Sequence, residues 1–252
     1  MNDKIVAAID NSAAARPVLA SALALARVLG ASVAAIHVSD DGGGGTAQAS
    51  AESFGVPFRT MVGNPFEILV DLAAGDDVVA LAVGARGRPR GARPAGHLAL
   101  ALPGSIDKPV LVVPPDAHPS GSLQWVVVAM EGTPDKARSA KRTVEVAAGA
   151  GLEIIVVHVD DESSIPLFSD QVQHETEAYA REFLARYCRG APEARLQLRV
   201  GLPADEILAA VDEVAPDIIA IGWPHSSEPG RGEVARQILD RSHTPLLLVA
   251  IA

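Results

Sequence analysis

Residues Lys4 to Val38 read KIVAAIDNSAAARPVLASALALARVLGASVAAIHV, and residues Gln124 to Val159 read QWVVVAMEGTPDKARSAKRTVEVAAGAGLEIIVVHV. Each stretch is a short apolar run, an acid followed by small polar residues, an amphipathic segment, a glycine, and a second apolar run closing on His-Val. Asp10 falls against Glu131 and His37 against His158, both 121 residues apart. Farther along, Met61–Gly84 matches Arg199–Gly222 at a spacing of 138, and DKPVLVVP matches HTPLLLVA at 136. One fold is therefore used twice, with 17 more residues in the second copy ahead of its Gly-x-Pro turn. Self-similarity of this kind has to be found before any motif is weighed.

The runs IVAAI, SVAAIHV, VVALAVG and PVLVVP carry no polar alternation, which is the signature of strands covered on both faces. Alternating with helical segments, they predict in each half a doubly wound α/β domain around a parallel sheet with right-handed crossovers. In the helix expected over Ala13 to Leu29, Val18, Leu19, Ala22, Leu25, Ala26 and Leu29 recur at spacings of three and four and form one apolar face. Pro17 suits the first turn of that helix. The extra length of the second half reads as a full helix, Ser169 to Arg189, with Val172, Tyr179, Phe183 and Tyr187 on one side. In the same place the first half has SDDGGGGTAQASAESFG, and the successive glycines Gly42 to Gly45 oppose helix, so a clipped or flexible element is expected there.

A chain of 252 residues is long for one domain and natural for two. The Pro/Gly/Ser-rich stretch Pro114 to Ser122 marks a boundary, giving domains over 1–118 and 119–252. Hydrophobic residues make up 48% of the chain but aromatic ones only 4%, so the cores are expected to be aliphatic and no stacking platform for nucleic acid is available. A net charge of −10 argues against nucleic acid and anionic lipid as partners. That charge is uneven, with 9 basic and 11 acidic residues up to 120 and 12 and 20 beyond. The single cysteine, Cys188, excludes internal disulfides and cysteine-rich zinc sites. The acidic start and the lack of a long apolar run point to a cytoplasmic protein with no membrane association.

In an open parallel sheet, ligands bind beyond the carboxyl ends of the strands. In the first half those ends are Asp10-Asn11-Ser12, the loop after Val38, and GARGRPRGARPAGHL from Gly84. The last loop combines Gly84, Gly87 and Gly96 with Arg86, Arg88, Arg90 and Arg93, and a helix start beside it favours anions. It reads either as a phosphate-binding loop or as a solvated Gly/Arg/Pro connection. Asp10 suits a ribose hydroxyl or a helix cap, although Ser12 or Asn11 is better placed to cap. The Val38 region would offer backbone groups and apolar contact to a base.

The order AIDNS, IHV, GNP, VGARG, a loop closing at Gly96-His97, and KPVLVVP resembles the universal stress protein family, as a tandem pair over essentially the whole chain. The resemblance implies a doubly wound domain in each half. It further implies ATP, with Mg, bound through Gly-x-x-Gly, nine residues, and Gly-Ser/Thr. Carried onto this chain, it makes Asp10 the ribose or adenosine contact and Val38 the adenine contact. Gly84, Arg86 and Gly87 would lie along the phosphates, with Gly96 and the amides of His97 and Leu98 at the terminal one. The chain departs from the pattern with eight residues between Gly87 and Gly96, with His97 where a hydroxyl is expected, and with Ala99 where another often stands. In the second half, GWPHSSEPGRGEV has His225 at the second glycine and Glu233 at the Ser/Thr position, with Trp223-Pro224 filling the loop. A carboxylate facing a triphosphate is repulsive, so this half is expected not to bind ATP in the family's way.

No catalytic or metal constellation assembles. His37 and His158 occupy repeat-equivalent strand ends, which favours a shared role in the fold over metal binding. His174, Glu175 and Glu177 lack the two-histidine face of a zinc helix, Ser105 sits in a Pro/Gly break and not in a nucleophile elbow, and no GxxxxGK[ST] loop occurs. Two readings stand: a nucleotide-binding stress or signalling protein acting through conformation or partners, with at most slow hydrolysis, and an interaction module with both pockets degenerate. An adenylating or pyrophosphatase enzyme is disfavoured because Asp10-Asn11-Ser12 stands in place of a Ser-Gly-Gly pyrophosphate loop. The apolar final strands, Val110 to Pro114 and Leu246 to Ala250, need cover and are expected to pair the two halves, with a homodimer as a further step.

Overall fold

The computed structural model describes residues 3–39, 43–85, 96–130, 137–160, 172–224 and 232–251. The first half runs β1 (Lys4–Ala8), α1 (Ala15–Leu29), β2 (Ser32–Ser39), α2 (Gly45–Ser53), β3 (Phe58–Val62), α3 (Pro65–Ala73), β4 (Val78–Gly84), α4 (His97–Ala101), a 3-10 turn (Leu102–Gly104) and β5 (Val110–Val113). The second repeats the order as β6 (Trp125–Ala129), α5 (Ala137–Gly149), β7 (Glu153–Asp160), α6 (Val172–Tyr187), β8 (Arg195–Val200), α7 (Pro203–Val214), β9 (Ile218–Pro224), α8 (Glu233–Arg241) and β10 (Leu246–Ile251). The tandem α/β architecture is the one that the apolar runs predict.

All ten strands form one sheet in the order β3-β2-β1-β4-β5-β10-β9-β6-β7-β8. Neighbours are parallel except β5 and β10, which meet antiparallel with Leu246 opposite Val112 and Leu248 opposite Val110. Within each half the chain winds outward from the first strand in both directions, and this places a switch point between β1 and β4 and another between β6 and β9. Because side chains alternate across a strand, Ile5 and Ala7 of β1 enter the apolar layer under α1, whereas Val6 enters the opposite layer under α3.

α1 buries Ala15, Val18, Leu19, Ala22, Leu25 and Ala26, and with them Ser21 and Ala24, a wider face than the periodicity alone indicates. Leu29 is only half-buried. α2 is nine residues long and α6 sixteen, so the glycine run does clip its helix. Phe183 and Tyr187 of α6 are buried while Tyr179 stays 43% exposed at the rim. The side chains of Val172, His174, Glu175 and Glu177 lie outside the described residues. The aliphatic expectation holds for the interior at large, with the α6 rings and Trp223 as its aromatic insertions. No helix among the described residues is long and apolar enough to cross a membrane.

The segment between β5 and β6 is tied down by Asp217 at the start of β9. Its Oδ2 accepts the Gln124 and Trp125 amides at 2.7 and 2.9 Å, and the Ser120 hydroxyl donates to Oδ1. Arg27 of α1 donates to the Gly121 carbonyl from the other side.

The repeats also differ in how the helices after β3 and β8 begin. Asn64 and Leu202 hold the same extended backbone, φ −74° in both, yet Asn64 Oδ1 accepts the Phe66 amide at 2.9 Å and Leu202 has nothing to accept with. Leu202→Asn is expected to raise stability by about 1 kcal/mol, the usual worth of such a cap, read as a shift of the urea midpoint at unchanged slope. Cys188, buried behind α6, has its thiol pushed up from 9.0 to about 11 by burial. Because the neutral thiol is the form that the fold favours, its contribution to stability is complete below pH 9.0 and is lost as pH rises through about 11. The thiol should therefore resist alkylation at neutral pH in the folded chain and react at the free-thiol rate in denaturant.

Candidate nucleotide site

At the switch point of the first half, the ends of β2, β1 and β4 are level. Ala8 of β1 pairs with Ile36 of β2 and with Val83 of β4. Val38 and Asp10 each lie two residues beyond that row and Gly84 one beyond, so all three stand on the same carboxyl edge. Val38 is half-buried against the layer under α3, and Asp10 is exposed. The Asp10 carboxylate is held in place: Oδ1 accepts the Ser12 amide at 3.0 Å and its hydroxyl at 2.5 Å. Ser12 in turn accepts the Ala14 amide at 3.2 Å.

The expected caps of α1 do not form. Ala14 occupies the cap position of α1 and supplies no side-chain bond. Asn11 is committed elsewhere, its Oδ1 accepting the Ala47 amide of α2 at 3.0 Å.

Past β4, the Gly96 amide donates to the Ala85 carbonyl at 2.8 Å, which brings the start of α4 back to the sheet edge. Gly96 and His97 are exposed, Leu98 is half-buried with its side chain on the apolar layer, and Ala99 is buried. Among the described residues, a Cβ on Gly96 would meet the Ala85 carbonyl at 3.4 Å, an ordinary contact that does not demand glycine here. The first-half residues brought together are thus Asp10, Val38, Gly84, Gly96, His97 and Leu98. Arg86 and Gly87, with Arg88, Arg90 and Arg93, lie outside the described residues.

The second half carries the same edge with different chemistry. Trp223 stands directly after Gly222, in the place that Ala85 takes after Gly84, and it is buried. A Cβ on Gly232, at the start of α8, would lie 3.3 Å from Trp223 Cη2, and one on Gly104 would lie 3.6 Å from its Nε1. The indole therefore occupies the space in front of α8 and also touches the 3-10 turn of the first half. Gly232 has φ +79°, which the ring contact and the turn both reserve for glycine. Glu233 is exposed and its Oε1 accepts from Gln237 at 3.1 Å. Glu131 and His225 lie outside the described residues.

Both repeat-equivalent histidines are buried and bond the backbone of the neighbouring strand end. His37 Nδ1 lies 2.9 Å from the Ile9 carbonyl and His158 Nδ1 lies 2.9 Å from the Met130 carbonyl. Their other nitrogens differ: His37 Nε2 faces Asn11 Nδ2 at 3.5 Å, and His158 Nε2 faces Asp160 Oδ1 at 3.2 Å. His158 also packs on Phe183, with ring centroids 5.0 Å apart. Among the described residues no group of three or more potential metal ligands gathers.

Sequence reasoning offered Asn11 only as a cap for α1 and Gly44 only as one of a helix-opposing run, and missed that the two meet at the start of α2. The signal was present as an asparagine directly after the strand-end acid and a glycine run 32 residues later, but nothing in one dimension joins them.

The family model for the universal stress protein family matches residues 1–55 and 123–250. A comparison with curated proteins finds no match in sequence. Among solved structures, a universal stress protein from Archaeoglobus fulgidus DSM 4304 aligns with 99% of this chain and 98% of its own at 16% identity and a TM-score of 0.67. A functionally unknown protein from Pseudomonas aeruginosa PAO1 aligns with 99% of this chain and 93% of its own at 13% identity and a TM-score of 0.70. A universal stress protein from Archaeoglobus fulgidus, solved in complex with dAMP, aligns with 51% of this chain and 98% of its own at 24% identity and a TM-score of 0.38. The repeated landmarks, the doubly wound halves and a family match over most of its length agree: the chain belongs to the universal stress protein family.

Proposed function

We propose that the chain is a cytoplasmic stress-response or signalling protein whose first half binds an adenine nucleotide, ATP with Mg, and whose second half does not. The observation that carries this reading is the convergence of Asp10, Val38, Gly84 and the Gly96–Leu98 helix start on one carboxyl edge at a switch point. Gly96 supports it further, because among the described residues a Cβ there would meet the Ala85 carbonyl at 3.4 Å in ordinary contact, so glycine at this exposed position fits close approach of a ligand to the backbone.

In this reading Asp10 receives the ribose hydroxyls and Val38 the adenine. Gly84, Arg86 and Gly87 flank the phosphates, and the Gly96, His97 and Leu98 amides receive the terminal one. A bound triphosphate would bring a compact anionic group and its metal ion to that loop. Among the described residues of this edge none stands as a general base, so the output is a change of conformation or partner, with at most slow hydrolysis. The two halves correspond to domains over 1–118 and 119–252, and the tandem unit would act alone or as a homodimer.

The second half is excluded because Trp223 fills the space before α8 and Glu233 adds a carboxylate at the helix start. The rival reading, an assembly module with no nucleotide, is favoured by His97 standing in place of a hydroxyl.

Calorimetry with ATP on the full chain separates the two. Binding at close to one nucleotide per chain is expected, with Gly87→Asp abolishing it and Asp10→Ala weakening it about tenfold, the loss of a charged hydrogen bond. Glu233→Gln should leave it unchanged. No heat at millimolar ATP would sink the nucleotide reading.

A further inference from the structure

Gly42 to Gly45 read from the sequence only as residues opposing helix, and His37 only as a landmark of the repeat. In three dimensions Asn11 connects them. The cap position of α2 is Gly44, which has no side chain to offer the helix. A longer residue has no room there, since a Cβ would sit 3.0 Å from His37 Cδ2 and 3.2 Å from both Phe58 Cζ and Thr60 Oγ1. The cap comes instead from the end of β1. Asn11 Oδ1 accepts the amide of Ala47, the third residue of α2, which is a donor that a capping side chain ordinarily serves.

With that oxygen committed, the orientation of the amide follows. Asn11 Nδ2 donates to the Gly43 carbonyl at 3.3 Å and faces His37 Nε2 at 3.5 Å. His37 Nδ1 faces the Ile9 carbonyl, which only accepts, so the proton sits on Nδ1 and Nε2 presents a lone pair to Asn11. Strand end, imidazole, amide and helix start thus form one consistent chain of donors and acceptors. Asn11 and His37 are the sequence neighbours of Asp10 and Val38.

Resting on the nucleotide reading above, we propose that Asn11 is a positioning residue for the first-half site, and that a neutral His37 holds it in place. The cap keeps the 43–47 turn on Asn11 and His37, the residues next in sequence to the proposed ribose and adenine contacts. A second proton on His37 puts N–H against the Asn11 NH2 group, two donors face to face, and the turn is released. Charged groups on the elements packed around the ring are Asp10 after β1, Arg59 on β3, Arg16 on α1 and Glu52 on α2. Among the described residues none of them hydrogen-bonds it. The second half is built the opposite way, since His158 Nε2 faces a carboxylate and gains a partner on protonation.

The test is calorimetry with ATP on the full wild-type, Asn11→Ala and Asn11→Asp chains at about pH 8 and about pH 5.5, on either side of the range where imidazoles ordinarily change charge. Protection of the Ala47 amide against hydrogen exchange, in protein free of nucleotide, is measured alongside. At the higher pH, Asn11→Ala should bind about fivefold more weakly and lose Ala47 protection, the effect of one lost cap. Acidification should cost the wild type more affinity and more Ala47 protection than it costs Asn11→Ala, a difference in which titration of the nucleotide's own phosphates cancels. In Asn11→Asp the carboxylate still accepts from Ala47 and now attracts a protonated His37, so Ala47 protection should rise on acidification. Identical affinities and pH profiles in wild type and Asn11→Ala would overturn the positioning role while leaving the nucleotide reading intact. Failure of the wild type to bind ATP would remove both, and protection that falls with acid equally in all three proteins would refute the part given to His37.

Discussion

A parallel strand that is apolar along its whole length has to be covered on both faces, and most of this molecule follows from that requirement. Burial of aliphatic surface, at roughly 25 cal/mol per Å², is the term that drives helices onto each side of the sheet. Alternate residues of each central strand then feed two separate apolar layers, Ile5 and Ala7 into one and Val6 into the other. Strand faces built this way make unpaired polar groups costly. Chemistry is displaced to the loops beyond the strands, and there the two halves are free to differ without disturbing the cores.

They differ in ways that can be ranked by energy. The absence of a capping side chain at Leu202 forgoes about 1 kcal/mol, a deficit that a two-domain interior tolerates. The indole of Trp223 is a larger commitment: it is buried against Gly232 and reaches Gly104 in the other half, so it fills the space before α8 with packing. The paired histidines show the subtlest divergence. One backbone bond is shared, while the other ring nitrogen meets an amide in the first half and a carboxylate in the second.

Much of the fold was legible from the residues because its signals are local. Unbroken runs such as VVALAVG declare a buried strand, and the clipped α2 follows from successive glycines that weaken a helix one by one. Of the candidate site, the edge residues Asp10, Val38, Gly84 and Gly96 could be placed by repeat and by strand end. The caps could not. Asn11 and Ser12 both have the chemistry of a cap for α1, yet neither holds the cap position, because α1 begins behind Ala14, where Ser12 serves only the Ala14 amide, and the start of α2 takes Asn11.

By itself the sequence determined that there are two copies, that each is a doubly wound sheet, and which residues stand at the carboxyl ends of its strands. Those properties rest on periodicity and on self-similarity, and both are readable along a line. The tertiary structure alone decided which side chains meet across the chain. Asn11 capping a helix 36 residues away, Gly44 pressed on His37, and Trp223 lying over Gly232 each depend on loops brought together by the closed sheet. Contacts of that kind are chosen by distances of a few tenths of an ångström, and residue type does not encode such distances until the strands have set the frame.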